Sequence, residues 1–263
     1  MGHHKHDHIY SIDYYTYISG LKHINPSFKI LFAIITLFLC IGLNNIYASI
    51  FITVSMGILT VYKGKISFHN YLSLLSIPLT FMILASLPIA IGVSKHSIGD
   101  YNINLGVFYI YLTKNSIYEM INLLLKALGA VSALYMMTLS TSSTEIISSL
   151  RKIHVPKIIM ELMNMIYRFI FIIMDVQVKM KNSAKSRLGY VDYKTSLKTF
   201  GSTLSNLFIV SIKKAATYYS AMEARCYDGE INFLEEEKPI NKKYILYAAT
   251  YFFIIFCIFY FAK

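Results

Sequence analysis

Two short stretches carry the side chains best suited to recognition chemistry. One is SAKSRLGY, residues 183–190, and the other is MEARCYDG, residues 222–229. In each, an arginine (Arg187 or Arg225) closes a long run of helical periodicity and a glycine (Gly189 or Gly229) follows shortly after. A guanidinium is a planar, permanently charged fork that binds a carboxylate through two parallel hydrogen bonds, whereas a lysine ammonium offers a point charge. The two stretches therefore read as two copies of one device for docking onto carboxylates of a partner. A plainer reading stands beside it: cations near a helix C-terminus complement the helix dipole, for about 0.3–1 kcal/mol each, and attract lipid phosphates.

The N-terminal MGHHKHDH places His3, His4, His6 and His8 next to Asp7. Neutral imidazole suits Co(II), Ni(II) or Zn(II), but a tail with no folded frame fixes no coordination geometry. A hydrated tail, a weak metal collector and a remnant of cloning are the readings that stand for it, and no metal site is assigned. His23, His69, His96 and His154 occur singly near the ends of apolar runs and read as interfacial. Cys40, Cys226 and Cys257 are too scattered for a disulfide framework or a Cys-x-x-Cys metal site. Paired catalytic carboxylates, a nucleophile elbow and a phosphate loop are all missing from the sequence, so no residue is given a catalytic role. Glu235 to Glu237 read as a solvated charge run.

Two helices must position the arginines. The first starts at Pro156, a residue suited to a first helical turn. Its apolar residues Ile159, Leu162, Ile166, Phe169, Ile173, Val176 and Met180 recur at steps of three and four, the spacing of one packing face. Glu161, Arg168 and Asp175 recur at every seventh position as a stripe too polar for lipid. This helix ends among Lys179, Lys181, Lys185 and Arg187, with Gly189 as its expected stop. The second, also amphipathic, runs from about Thr195 to Arg225 and carries Leu197, Phe200, Leu204, Phe208, Ile212, Ala215, Tyr219 and Met222 on one face.

The rest of the chain is built for a bilayer. Of 263 residues, 56% are hydrophobic and only 15% charged, and the mean hydropathy is +0.51. Apolar runs at 28–43, 46–62, 71–93, 117–139 and 244–262 are long enough to cross roughly 30 Å of hydrocarbon. Asn44 and Asn45 alone separate the first two, which reads as a tight helical hairpin. Pro78 and Pro88 should kink the third, and the stretch 94–116 between the third and fourth is expected to form a small hairpin or re-entrant piece. Lys22 and Lys29 precede the first span, Lys63 and Lys65 follow the second, and Arg151, Lys152 and Lys157 follow the fourth. By the positive-inside rule these sides face the cytoplasm, with the N-terminus inside and Lys263 outside. The formal net charge of +11 is read in the same way, and no nucleic-acid module accompanies it.

The expected fold is thus an all-α integral membrane protein with about five spans, six if the helix from Pro156 also crosses, and two long amphipathic cytoplasmic helices. Its parts are an N-terminal cytoplasmic segment (1–27), a four-helix membrane domain (28–140), a cytoplasmic helical module (141–240) and a C-terminal span (241–263).

Four separated blocks, in order, carry a resemblance to a known family: YSIDYYTYISGLKHINPSFKILFA at 10–33, STEIISSLRKIHVPKIIMELMNMIYRFIFIIMD at 143–175, SAKSRLGY and YYSAMEARCYDG. Together they resemble the transmembrane T component of energy-coupling factor transporters, in particular the CbiQ-type cobalt transport permease family. The resemblance implies a non-catalytic scaffold without a cofactor of its own, placed in the plasma membrane. Two ATPase subunits, which bind the ATP, would dock on its coupling helices, and a separate small membrane subunit would capture cobalt or nickel. The arginine of each Ala-Arg-Gly signature would contact an ATPase groove. Matched by position, the docking residues are Ser186, Arg187 and Leu188 in the first copy and Ala224, Arg225 and Cys226 in the second; arginine stands in both and the signature glycine in neither. The rival readings are a self-contained secondary carrier or a membrane-embedded enzyme. A carrier needs ionisable groups at mid-membrane, and Lys126, which could pair with Glu119 or with a partner helix, is the strong candidate for one.

Overall fold

The computed structural model describes residues 14–90, 92–94, 101–104, 109–152, 155–229, 231, 238–239 and 241–261. The chain divides into two compact units, one made of Met1–Ile146 with Glu237–Lys263 and the other of Ile147–Glu236.

The first unit is a helical bundle. After a helical stretch at 14–18 come α1 (Pro26–Leu43), α2 (Ile46–Ile58, continued by a π-helical turn, Leu59–Lys63) and α3 (Phe68–Ala90). Three short strands follow, β1 (Gly92–Ser94), β2 (Tyr101–Asn104) and β3 (Tyr109–Leu112), then α4 (Lys114–Ser140) and the start of α5 (Ser143–Arg151). The last helix of the unit is Lys242–Phe261, α8 in chain order. Among the described residues, five helices (α1, α2 with its π turn, α3, α4 and α8) are long and apolar enough to cross a membrane. The expected spans hold to within a few residues, and the helix from Pro156 is not among the five.

Asparagines build the tight turn between α1 and α2. Asn44 closes α1 in the left-handed conformation (φ 46°, ψ 42°), and the Asn45 side chain accepts the Tyr47 amide at 2.9 Å to open α2. The expected hairpin between α3 and α4 is present: β3 pairs antiparallel with both β1 and β2, with Val93 opposite Ile110 and Asn102 opposite Tyr111.

The centre of the bundle is α4, which packs against α1, α2 and α3. Small residues permit that approach, as is usual where no hydrophobic force drives helices together in lipid. A Cβ placed on Gly129 would stand 2.6 Å from Cys40 Sγ and 3.3 Å from the Ser49 carbonyl oxygen. Beside it, Ala33, Cys40, Ile52, Met56, Ala133, Met136 and Ile255 form the core. In α3, Pro78 lacks the amide hydrogen that would bond the Leu74 carbonyl, and the Tyr135 hydroxyl of α4 fills the gap at 3.0 Å. The last helix, α8, joins α1 and α2 through Phe32, Phe51, Tyr251 and Phe252, and the Tyr251 hydroxyl lies 2.9 Å from Ser55 Oγ.

The second unit is an antiparallel helical hairpin of α6 (Lys157–Ser186) and α7 (Tyr193–Glu223). Pro156 occupies the N-cap of α6 and not its first turn, because its extended ψ of 138° precedes the helix. The rings of Phe169 and Tyr218 meet edge to face with centroids 5.0 Å apart, and the Arg168 guanidinium lies 5.8 Å from the Tyr218 centroid. At the turn, a Cβ on Gly189 would stand 3.0 Å from Thr199. The polar stripe of α6 therefore serves the hairpin at two of its positions: Arg168 meets Tyr218, and Glu161, 5% exposed, accepts the Ile231 amide at 3.1 Å. Asp175 is exposed.

One packing expectation, the continuous apolar face of α6, is corrected: Phe169, Ile173, Val176 and Met180 are half-buried, but Ile159, Leu162 and Ile166 stand exposed. The apolar stripe of α7 does not pack: Leu197, Phe200, Leu204, Phe208 and Ile212 are all exposed, Phe208 by 68%. The half-buried positions are instead Ser196, Thr199, Thr203, Leu207, Val210, Ser211, Lys214 and Tyr218, with Met222 alone from the stripe itself, most of them again at steps of three and four. Both stripes have helical period, and the tyrosine pairing with Phe169 and Arg168 decides which one turns inward.

Candidate functional site: two arginine-bearing helix ends

The ends of α6 and α7 have one and the same backbone construction. At the first, the Gly189 amide donates to the Ala184 carbonyl at 2.9 Å and the Leu188 amide to the Lys185 carbonyl at 3.1 Å. At the second, the Tyr227 amide donates to the Met222 carbonyl at 3.1 Å and the Cys226 amide to the Glu223 carbonyl at 3.0 Å. Each is a Schellman pair, a 6→1 bond enclosing a 5→2 bond, which satisfies the carbonyls a helix leaves open at its C-terminus. Arg187 and Arg225 hold the same position in it, one residue before the left-handed turn.

The left-handed residue itself is Leu188 (φ 58°) in one copy and Cys226 (φ 59°) in the other. Gly189 is therefore not the stop of α6; it lies one residue beyond, where its amide closes the outer bond. A leucine and a cysteine adopt the conformation that glycine ordinarily supplies, so the backbone form persists without glycine. Ser186 caps nothing new: its hydroxyl donates to the Asn182 carbonyl at 3.1 Å. Ala224 sits in the last turn of α7 with its amide bonded to the Ser220 carbonyl at 3.0 Å. All six residues of the two copies, Ser186, Arg187, Leu188, Ala224, Arg225 and Cys226, are exposed.

The structure does not bring the arginines together. Because the hairpin is antiparallel, Arg187 lies at its turn and Arg225 at its open end, and the length of α7 separates them by about 45 Å at 1.5 Å per residue. Their surroundings also differ. Leu188, Val191 and Tyr193 stand exposed around Arg187, Leu188 by 72%. Arg225 borders a groove of about 380 Å³ lined by Met165, Arg168, Phe169, Tyr218, Tyr219 and Met222 among others. That groove pairs Arg225 with a second cation, Arg168, which the sequence presented only as part of a polar stripe. The signal that could have found it is the aromatic pair Tyr218–Tyr219 one helical turn before Met222.

His3, His4, His6 and His8 lie outside the described residues, as do His96, His154 and Glu235 to Glu237. Among the described residues no three His, Cys, Asp or Glu side chains are grouped to hold a metal ion. Lys126 is half-buried in α4, and no described carboxylate, Glu119 included, forms an ion pair with it.

A profile described as cobalt transport protein, CbiQ, matches residues 19–237. The chain belongs to the CbiQ family. Among its relatives, an uncharacterised protein of Methanocaldococcus jannaschii is 30% identical over 251 residues, which cover 95% of this chain and 92% of that protein. A putative fused cobalt transport protein, CbiMQ, of Methanocorpusculum labreanum is 29% identical over 85% of this chain but only 37% of its own length. The cobalt transport protein CbiQ of Salmonella typhimurium is 21% identical over 84% of this chain and 98% of its own. This CbiQ family member is accordingly a multi-pass membrane component of a cobalt transport system.

Proposed function

We propose that this chain is the transmembrane T component of an ATP-driven importer of the energy-coupling factor type, moving cobalt or nickel ions captured by a separate small membrane subunit. Its own residues carry out no chemistry. Arg187 and Arg225 each dock onto one ATPase subunit, with Ser186, Leu188, Ala224 and Cys226 shaping the contact, and ATP is bound by those subunits. A ligand that changes a conformation must bind the two states differently; here, nucleotide-dependent ATPase contacts at the two ends supply that difference.

The observation that carries this reading is the repeated end: two helices close with the same nested bonds, a left-handed residue at the same position and an exposed arginine just before it. Dipole complementation alone asks for a cation near each terminus and not for one fixed position in one fixed turn. A separation of about 45 Å along α7 also suits two subunits better than a single pocket. The exposed apolar stripe of α7, Leu197 to Ile212, is the surface this reading leaves for the small membrane subunit. The fused cobalt transport relative CbiMQ supports partnership with another transport subunit. Lys22, Lys63, Lys65, Arg151 and Lys152 support a cytoplasmic N-terminus, and the membrane this reading calls for is the plasma membrane.

The test is charge reversal. R187E or R225E should lower ATPase co-purification and ion uptake by about 5–150-fold, the span of a typical coupling energy, while leaving the chain in the membrane. Normal uptake by the double variant would refute the docking role.

A further inference from the structure

Glu145 is the centre of a charged cluster inside the first unit. Its Oε1 accepts Lys238 Nζ at 2.5 Å, and its Oε2 lies 3.6 Å from Lys29 Nζ. Oε2 also takes the Ser142 amide at 3.3 Å while Ser142 Oγ takes the Glu145 amide at 3.3 Å, the reciprocal capping box that opens α5. Each cation has a second task. Lys29, 3% exposed, donates to the Ser140 carbonyl at the end of α4 at 2.6 Å. Lys238 Nζ donates to the Lys22 carbonyl at 2.7 Å, and the Lys238 carbonyl accepts Asn25 Nδ2 at 2.5 Å. The same Asn25 side chain caps α1 through the Ser27 amide at 3.0 Å.

One carboxylate thus fastens four pieces of chain: the lead-in and start of α1, the end of α4, the start of α5, and the segment that returns before α8. Position in sequence gives this its meaning. The second unit begins at Ile147, just after Glu145, and ends at Glu236, just before Lys238. The departing and returning strands of the module are therefore bolted to each other, and to α1 and α4, where the module is attached. Exposed ion pairs contribute little, but here the side chains of Lys29, Glu145 and Lys238 are only 4%, 22% and 17% exposed. Removing one partner of a buried pair also strands the other.

We infer that Glu145, Lys29 and Lys238 form the anchorage through which load on the Ile147–Glu236 module passes to α1 and α4. They are positioning residues that touch no substrate. The source of the load rests on the T-component reading above; the anchorage itself does not.

Two variants test it. K238M keeps the Lys29–Glu145 pair, so it spares the more buried charge and should fold; K238R keeps the bridge. In the isolated chain, K238M should raise amide exchange about tenfold in both 19–25 and 241–244 while leaving α2 and the α6–α7 crossing unchanged, a local rather than global opening. In the assembled transporter, K238M should lower ions moved per ATP hydrolysed at least about fivefold with the ATPases still attached, and K238R should restore both readouts. Unchanged exchange at 19–25, or an unchanged ion-to-ATP ratio in K238M, overturns the anchorage. ATPases that fail to co-purify with the unaltered chain overturn the T-component reading instead, and the exchange experiment still decides the anchorage.

Discussion

Leu188 and Cys226 are placed in a conformation that disfavours them. A side chain in the left-handed region costs roughly 1–2 kcal/mol, and glycine escapes most of that at the expense of a more flexible unfolded chain. Neither residue is buried, so truncating it gives up little packing. Leu188→Gly and Cys226→Gly should each stabilise the protein by a net of about 0.5–1 kcal/mol, read as a rise in melting temperature in detergent. Leu188→Val should do the opposite, since a β-branched residue tolerates positive φ poorly. A second outcome follows from exposure: a maleimide should modify Cys226 rapidly and leave Cys40, 1% exposed, unmodified until the bundle opens. At this scale the arginines and their neighbours were legible in the sequence from the repeated stop pattern. Which residue takes the left-handed turn was not, because Gly189 advertised a stop that the hydrogen bonds place one residue earlier.

At the scale of helices, α4 decides how closely the bundle packs. Gly129→Leu would drive a side chain into Cys40 and the Ser49 carbonyl, and should prevent α1, α2 and α4 from closing. The expected result is loss of the folded chain from gentle detergent extracts, whereas Gly201→Leu on α7, with open space around it, should leave the yield unchanged. Tyr135→Phe leaves the Leu74 carbonyl without a partner; interhelical hydrogen bonds in membranes are worth about 0.6–2 kcal/mol, so thermal stability should fall by that order. Spans were easy to read because hydrocarbon demands length and apolarity and little else. The inward side of α7 was not, because two stripes share its period and the choice between them depends on Phe169 and Arg168, which lie about fifty residues earlier in the chain.

For the whole molecule, the sequence announced one end rich in lysine and arginine and an opposite end that is nearly neutral. The bundle agrees with that reading where it is described: Lys29 and Lys238 meet Glu145 at the start of α1, and a Cβ on Gly20 would stand 2.5 Å from the Lys63 carbonyl. What no periodicity could reveal is that Glu145 would hold two lysines from places in the chain more than two hundred residues apart. Long-range charge pairing leaves no local trace.

The place of α8 has a consequence for how the protein is made. Ile255 is fully enclosed, and Tyr251 and Phe252 fill the seam between Phe32 and Phe51, yet α8 follows those spans only after the whole Ile147–Glu236 module. The first two spans must wait in the bilayer with that seam open while all of the Ile147–Glu236 module is synthesised. Nascent chains arrested before Lys242 should therefore be the species that quality-control proteases find first.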